Sequence, residues 1–371
     1  MRLLFVSGTT TGGSAVSTHE LAWALAARGH SVGILVRERA RARSGLVAPA
    51  PTGPLNSLRA TSERTLRALR RVVRTTPGTS TPAHGVDVWT SSTPQRVLEQ
   101  LCSSFHPDVA IVSSVPRNAW AQMRAALRRS GVPSVLYVRE AATLEHVPIA
   151  DLRPDLTLTN SAALRDAVAL LGIAASSVPS MIDFGRCEVV SSRASVLFVN
   201  PIRSRGLAIA VALAADNPDV PFAFQLSWPL DRRDERALRA EVAVHSNVEL
   251  RGHESDPARI YRDARVLLLP YHVDQRPRVV AEAQWNGIPV VASDLPGHRE
   301  AVGDGGVLVP LDASRASWST ALRSIWDADD GAQRLGAAAR AHAARAEQDG
   351  ERVVRRFEEL MTALVSGAGL S

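Results

Sequence analysis

Two acids, Asp274 and Glu282, stand eight residues apart on either side of a loop-to-helix transition. In the stretch 266–310 an apolar run, 266–269, ends in a polar loop that carries Asp274. A helical segment opens at Pro277 and stops at Asn286-Gly287, and a second apolar run, 288–292, leads into a Gly-containing loop. Pro277 suits the first helical position, where its missing N–H would be unpaired anyway. The free N–H groups of Arg278 and Val279, with the helix dipole, favour a phosphate at this end. Glu282 falls about 7 Å farther along the axis, at ~1.5 Å per residue. A carboxylate there can accept two hydrogen bonds from a vicinal diol such as a ribose. Asp274, ahead of the helix, would hydrogen-bond a sugar on the other side of the same diphosphate. The competing reading makes Glu282 the partner of a neighbouring arginine and Asp274 an ordinary loop acid.

These residues need a scaffold, and the chain alternates apolar runs with helical patterns. Strands are expected at 3–7, 32–36, 109–113, 134–138 and 156–159, with a glycine-rich loop at 8–13 and a helix at 15–27. The alternation restarts after 179–183, with strands at 196–199, 222–226, 248–250, 266–269, 288–292 and 307–309. Such a pattern predicts an α/β chain with parallel sheets covered on both faces. Two similar halves leave a cleft between them, and ligands bind at the C-terminal ends of parallel strands. The expected domains are 1–183 and 184–350, with a C-terminal helix in 351–371 that crosses back to the first. The stretch 39–85 interrupts the first domain as an irregular, basic insertion. Within it, 58–74 interleaves Leu58, Leu66, Leu69, Val72 and Val73 with six arginines. That is a basic amphipathic helix, suited to an anionic membrane surface or a charged acceptor. A solvated helix packed by its aliphatic face is the more common explanation of such a pattern.

Bulk properties narrow the class. A length of 371 residues favours two domains, and 45% hydrophobic with 22% charged residues is a globular composition. No apolar run approaches the ~18 residues of a membrane span, and the opening residues lack a secretory pattern. Two cysteines, Cys102 and Cys187, form neither a disulfide framework nor a zinc spacing. A cytoplasmic protein is expected, peripheral to the inner membrane face if the basic segment binds there. The formal charge is +6 and the chain contains no lysine, so phosphate contacts must use arginine and its planar donor fork. Nucleic acid is a poor fit, since aromatics are 5% and no nucleic-acid motif is present.

The run Glu282-Ala283, Gly287, Pro289-Val290-Val291-Ala292-Ser293 and Glu300 resembles the donor-site signature of family 4 glycosyltransferases. Their first acid is a glutamate; Asp274 stands there, one methylene shorter, and Arg276-Pro277 replaces their Phe-Gly. The resemblance continues through Gly12-Gly13 and the alanine-rich helix, through Thr159-Asn160-Ser161, and through Val178-Pro179-Ser180-Met181-Ile182-Asp183. It implies a GT-B fold: two Rossmann-like, doubly wound domains facing across a cleft. It also implies retaining transfer of a sugar from a nucleotide diphosphate donor to a small-molecule, glycan or lipid-linked acceptor hydroxyl. The sequence offers no metal-ligand cluster, so no metal or cofactor is expected. Arg205, and Arg203 beside it, take the place of the family's phosphate-binding Arg and Lys, and Gly12 and Gly13 approach the donor phosphates from across the cleft. Asp274 becomes a sugar-orienting residue, Glu282 the ribose anchor, and His253 falls in the nucleobase-lining loop. On the acceptor side Arg139 occupies the usual place of a histidine, with Glu140 and His146 nearby; Asp274, Arg205 and Arg139 form the expected catalytic set.

Other readings stay open. The loop Gly8-x3-Gly12-Gly13, with Glu38 placed for an adenosine ribose, admits an NAD-dependent oxidoreductase, although it lacks the Gly-x-Gly-x-x-Gly spacing. A GT-B sugar epimerase and a non-catalytic GT-B partner protein are the closer rivals. The arginine-rich, lysine-free composition resembles that of actinobacterial enzymes of cell-envelope glycan or secondary-metabolite synthesis.

Overall fold

The computed structural model describes residues 1–9, 12–37, 85–115, 117–140 and 153–367. Glu38, His146, the segment 58–74 and all but the last residue of the stretch 39–85 lie outside the described residues.

The first sheet contains β1 (Arg2–Ser7), β2 (Ser31–Arg37), β3 (Val86–Ser91), β4 (Val109–Ser113), β5 (Ser134–Val138), β6 (Leu156–Thr159) and β7 (Ser176–Ser177). The second contains β8 (Ser195–Val199), β9 (Phe222–Leu226), β10 (Val248–His253), β11 (Ala264–Leu269), β12 (Val290–Ser293) and β13 (Gly306–Val309). Their strand orders are 3-2-1-4-5-6-7 and 10-9-8-11-12-13, and every strand pairing is parallel. Each sheet therefore has a switch point, between β1 and β4 in one and between β8 and β11 in the other. Chain leaving the two central strands there runs in opposite directions, which opens a crevice for ligands. Both crevices are tight at the backbone. A Cβ on Gly8 would lie 1.8 Å from the Ser114 carbonyl oxygen, and one on Gly206 would lie 1.9 Å from that of Pro270.

The helices are α1 (Gly13–Ala27), α2 (Pro94–Phe105), α3 (Arg117–Arg129), α4 (Ala162–Ala169), α5 (Leu207–Asp216), α6 (Arg232–Val242), α7 (Pro257–Tyr261), α8 (Arg278–Trp285), α9 (Pro296–Val302), α10 (Arg315–Trp326), α11 (Asp329–Ala343) and α12 (Gly350–Ser366). The strands read as apolar throughout because helices cover both faces. Along β1, Leu3 and Phe5 join one core layer while Leu4 and Val6 join the other, following the period of two. The first layer takes Leu21 and Leu25 of α1; the second takes Leu98 of α2 and Leu127 of α3. Among the described residues no helix is long and apolar enough to cross a membrane.

Strand β7 was not expected, and two further elements differ from the sequence expectation in an informative way. Strand β3 was not anticipated, since Val86-Asp-Val-Trp-Thr-Ser is mixed in polarity; it is an edge strand, buried only at its two ends. The strand expected at 288–292 begins at Val290 instead. Pro289 has no N–H to give the ladder, and its carbonyl accepts from Leu267 at 2.9 Å before regular pairing starts.

Helix α12 returns to the first domain. Its buried residues Val353, Val354, Phe357, Leu360 and Met361 recur at helical spacing, and all belong to the layer built on Leu3 and Phe5. The Phe357 ring stacks on Phe5 with centroids 5.9 Å apart. Asp349 caps the helix by accepting from the Arg352 N–H at 2.9 Å. At its rim the Glu358 carboxylate accepts from Arg28 Nε at 2.9 Å and from His30 Nε2 at 2.8 Å. Burial works to raise the Glu358 pKa, yet the hydrogen bonds of Arg28 and His30 outweigh it and hold the carboxyl below its ordinary value. A depressed folded pKa contributes stability above the unfolded value and loses it as pH falls through the folded one. Glu358→Gln is therefore expected to be less stable than the wild type at neutral pH. Urea titrations at a series of pH values should show that difference shrinking once pH drops below the ordinary glutamate value of about 4.3.

Candidate active site

A cavity of about 320 Å³ lies between the domains, where both sets of strands end. Gly12, Gly13, Arg139, Glu140 and Asn160 line it from the first domain; Asn200, Arg205, Trp228, His253, Glu254, Glu282 and the segment 275–279 line it from the second. Its size is within the range of small-molecule sites, about 300–1,000 Å³. A larger one, about 560 Å³, lies behind the hinge, walled by helix α1, Met181 to Phe184, Trp285 and the return segment Ala343 to Gly350. No strand ends in it, so the chemistry of converging loops belongs to the first cavity.

Helix α8 begins one residue later than expected, with Pro277 as the extended N-cap. Its first residue, Arg278, is 8% exposed at the side chain and joins the two domains. Arg278 donates to both Glu20 oxygens on α1, at 2.6 Å from Nη1 and 2.9 Å from Nη2. Its Nε pairs with Glu282, one turn along the same helix. The other Glu282 oxygen accepts from the Tyr261 hydroxyl at 2.5 Å. Burial, followed by the charge of Glu282, pushes the Tyr261 pKa well above its ordinary value, so this hydroxyl remains a donor. Burial disfavours the charge on Arg278, but the two carboxylates prevail and raise its pKa. Glu20 also accepts from the hinge, from the Asp183 N–H at 3.2 Å and from Arg186 at 3.3 Å.

Glu282 thus lines the cavity with each oxygen already hydrogen-bonded inside the protein, as the arginine-partner reading held. Asp274 departs further from expectation, for it does not line the cavity. Its Oδ1 accepts from the Gly297 N–H at 2.7 Å and fixes the start of α9. A shorter side chain reaches this nearby backbone donor rather than the cleft.

Arg205 is brought into the cavity between two rings, with its guanidinium carbon 4.8 Å from the Trp228 centroid and 4.9 Å from that of Tyr271. Nη1 donates to the Tyr271 hydroxyl at 2.7 Å, and among the described residues Arg205 makes no ion pair. Arg203, two residues earlier, is exposed and does not line the cavity. Gly12 and Gly13 open α1 directly opposite the second domain: a Cβ on Gly12 would lie 3.7 Å from Trp228, and one on Gly13 would lie 3.4 Å from Arg278. His253 is exposed on the rim, and Val279 lines the wall beside Glu282. Glu140 is exposed at the mouth, and its backbone forms an antiparallel bridge with Gln275 across the cleft.

Two further contacts cross between the domains. The Glu300 carboxylate accepts from the N–H groups of Ala162 and Ala163, at 3.1 and 2.9 Å, and so caps α4 of the other domain. Arg276 reaches the Asn160 carbonyl at 3.4 Å. Neither cysteine is poised as a nucleophile, since burial pushes Cys102 to about 11 and Cys187 to about 12. Sequence reasoning missed Glu20, Tyr261 and Trp228. The one available signal was the Arg278/Glu282 spacing of four, which places an ion pair on one helix face.

Two family models match the chain, one on each side of the cleft: "Glycosyltransferase Family 4" over residues 11–184 and "Glycosyl transferases group 1" over residues 229–327. The chain carries a glycosyltransferase family 4 domain and a glycosyl transferases group 1 domain. Its two facing parallel sheets are the GT-B fold. Over 91 residues the chain is 38% identical to a D-inositol 3-phosphate glycosyltransferase of Corynebacterium kroppenstedtii, a match covering 24% of the chain and 20% of that relative. It is 27% identical to a glycogen synthase of Mycobacterium tuberculosis over 92% of the chain and 89% of that relative. The solved structure of Anabaena HepE in complex with UDP-glucose superposes with a TM-score of 0.70 at 16% identity, over 98% of this chain and 100% of the other.

Removing the shared cation would leave two buried carboxylates facing each other. Arg278→Met is expected to cost about 3–5 kcal/mol of stability. Urea unfolding of the variant against the wild type measures it, and a cost under ~1 kcal/mol would argue that the cluster is solvated and contributes little.

Proposed function

We propose that this chain transfers a sugar from a nucleoside diphosphate sugar to an acceptor hydroxyl, with retention of anomeric configuration. The observation that carries the reading is Arg205, held between two rings in the interdomain cavity without a carboxylate partner among the described residues. A guanidinium fixed in this way is preorganised for an anion that develops during reaction, and such groups often supply a large part of catalysis. The N-terminus of α1, with Gly12 and Gly13, faces the same space and adds backbone N–H donors for the phosphates. The HepE structure, solved in complex with UDP-glucose, agrees with a donor of this class.

In this scheme the bond between the anomeric carbon and the diphosphate oxygen breaks as charge grows beside Arg205. The acceptor hydroxyl attacks from the same face, and its proton passes to the departing diphosphate oxygen. No glycosyl-enzyme ester is required, which suits a cavity where both Glu282 oxygens are already engaged. Glu282 would then meet a ribose only as an acceptor shared with Arg278 and Tyr261. Arg139 and Glu140 occupy the acceptor side. The composition favours a role in cell-envelope glycan or secondary-metabolite synthesis in the cytoplasm.

A second reading, a non-catalytic GT-B partner, draws on the placement of Asp274 against Gly297 and on the internal engagement of Glu282. Nucleotide binding and turnover separate the two. UDP, GDP or ADP at 100 times its Kd should stabilise the protein by about 2.7 kcal/mol, seen as a rise in melting temperature. Arg205→Ala should abolish that rise and lower sugar transfer by about 10²–10³-fold. If no diphosphate shifts melting and Glu282→Ala changes nothing, the donor site is misassigned; binding without turnover favours the partner protein.

A further inference from the structure

Two other arginines in the cavity have unmet requirements. Arg139 is 5% exposed, and among the described residues it makes no ion pair. Its partners are neutral: the Ser180 hydroxyl at 3.2 Å, the Thr18 hydroxyl at 3.5 Å and the face of Tyr137 at 4.1 Å. Its Nε is buried without a hydrogen-bond partner. The Arg276 side chain is 9% exposed, and its Nη2 is likewise buried and unpartnered. The nearest carboxylate to Arg276 is Glu300, 3.5 Å from Nη1 and already committed to the N–H groups of Ala162 and Ala163. Both side chains line the same cavity, Arg139 against Tyr137 at the end of β5 and Arg276 against the Asn160 carbonyl at the end of β6. They therefore share one region, formed by the ends of β5 and β6 and by the hinge.

The contrast with Arg278 is informative. Arg278 is as deeply buried, yet two carboxylates surround it. Desolvation of an ion is tolerated when a counter-charge offsets it. Arg139 lacks one and Arg276 has a weak share of one, while both line the cavity. Arg205 and the α1 N-terminus already serve the diphosphate in the reading above. The charge balance at the β5 and β6 ends leaves a separate requirement for an anion.

We propose that Arg139 and Arg276 form a second anion subsite, which takes a carboxylate or phosphate carried by the transferred sugar or by the acceptor. This rests on the glycosyltransferase reading for which molecule brings the anion, but the subsite itself is testable without a nucleotide. The charged substrate would be held at the sugar end of the cleft by two planar donor forks, a geometry matched to carboxylate and phosphate oxygens.

Calorimetric titration with two pairs of probes distinguishes the sources: glucuronate 1-phosphate against glucose 1-phosphate for the transferred sugar, and glucose 6-phosphate against glucose for the acceptor. The member that carries the additional anionic group in at least one pair should bind about tenfold or more tightly than its counterpart, the gain expected of charge-assisted hydrogen bonds. Arg139→Gln and Arg276→Gln should each reduce that ratio to about threefold or less. The free Arg139→Gln protein should also melt no lower than the wild type, because it loses an unpaired buried charge; an arginine with a purely structural role would lower melting. Equal binding within both pairs in the wild type overturns the proposal, as does a preference that survives both substitutions. A charged-probe preference in a protein that ignores UDP, GDP and ADP would support the subsite while rejecting the donor reading.

Discussion

A single guanidinium, that of Arg278, holds two carboxylates from two domains, and the arrangement of the cleft follows from it. Glu20 comes from the first helix of the chain and Glu282 from the helix that Arg278 itself begins. With Arg278 absent, the two carboxylates would be buried without their shared counter-charge, a state that folded proteins avoid. The cluster therefore sets how far apart the sheets stand. It also aligns the hinge, because Glu20 accepts from Asp183 and Arg186 while Arg278 reaches the Met181 carbonyl at 3.1 Å. The cap of Glu300 on α4 and the backbone bridge from Glu140 to Gln275 then meet across a gap of fixed width.

The parallel sheets were legible in the sequence, because strands buried on both faces must be apolar along their whole length. The helix carrying Glu282 was legible for a related reason, with Asn286-Gly287 closing it and an apolar strand following. The central ion cluster was not. Glu20 is one acid in a largely apolar helix, and its partner lies 258 positions away. No local spacing reports a pairing of that range. Arg278 entered the sequence reading through its backbone N–H, whereas its side chain makes the decisive contacts. Asp274 shows the opposite limit: its residue type fitted a sugar-facing role, and a backbone donor at Gly297 had a stronger geometric claim on it.

The segment ahead of α8 is also where the chain departs from the pattern of the family it resembles. Arg276-Pro277 stands in place of Phe-Gly, exchanging an apolar ring and a flexible residue for a cation and a rigid one. Together with Arg139 in the usual place of a histidine, this changes the electrical character of the cleft more than its shape. The scaffold that positions these residues is shared with distant GT-B structures.

The return of α12 to the first domain bears on how the molecule is made. The second sheet and its helices come from one continuous stretch of chain and can consolidate as soon as that stretch is available. The first sheet cannot, because the layer under Leu3 and Phe5 is closed by Val353, Phe357 and Met361. During synthesis the apolar face of the earlier half stays open until α12 emerges. The order of consolidation is thus the reverse of the order of translation, and the interval between them is when this chain most needs protection from aggregation.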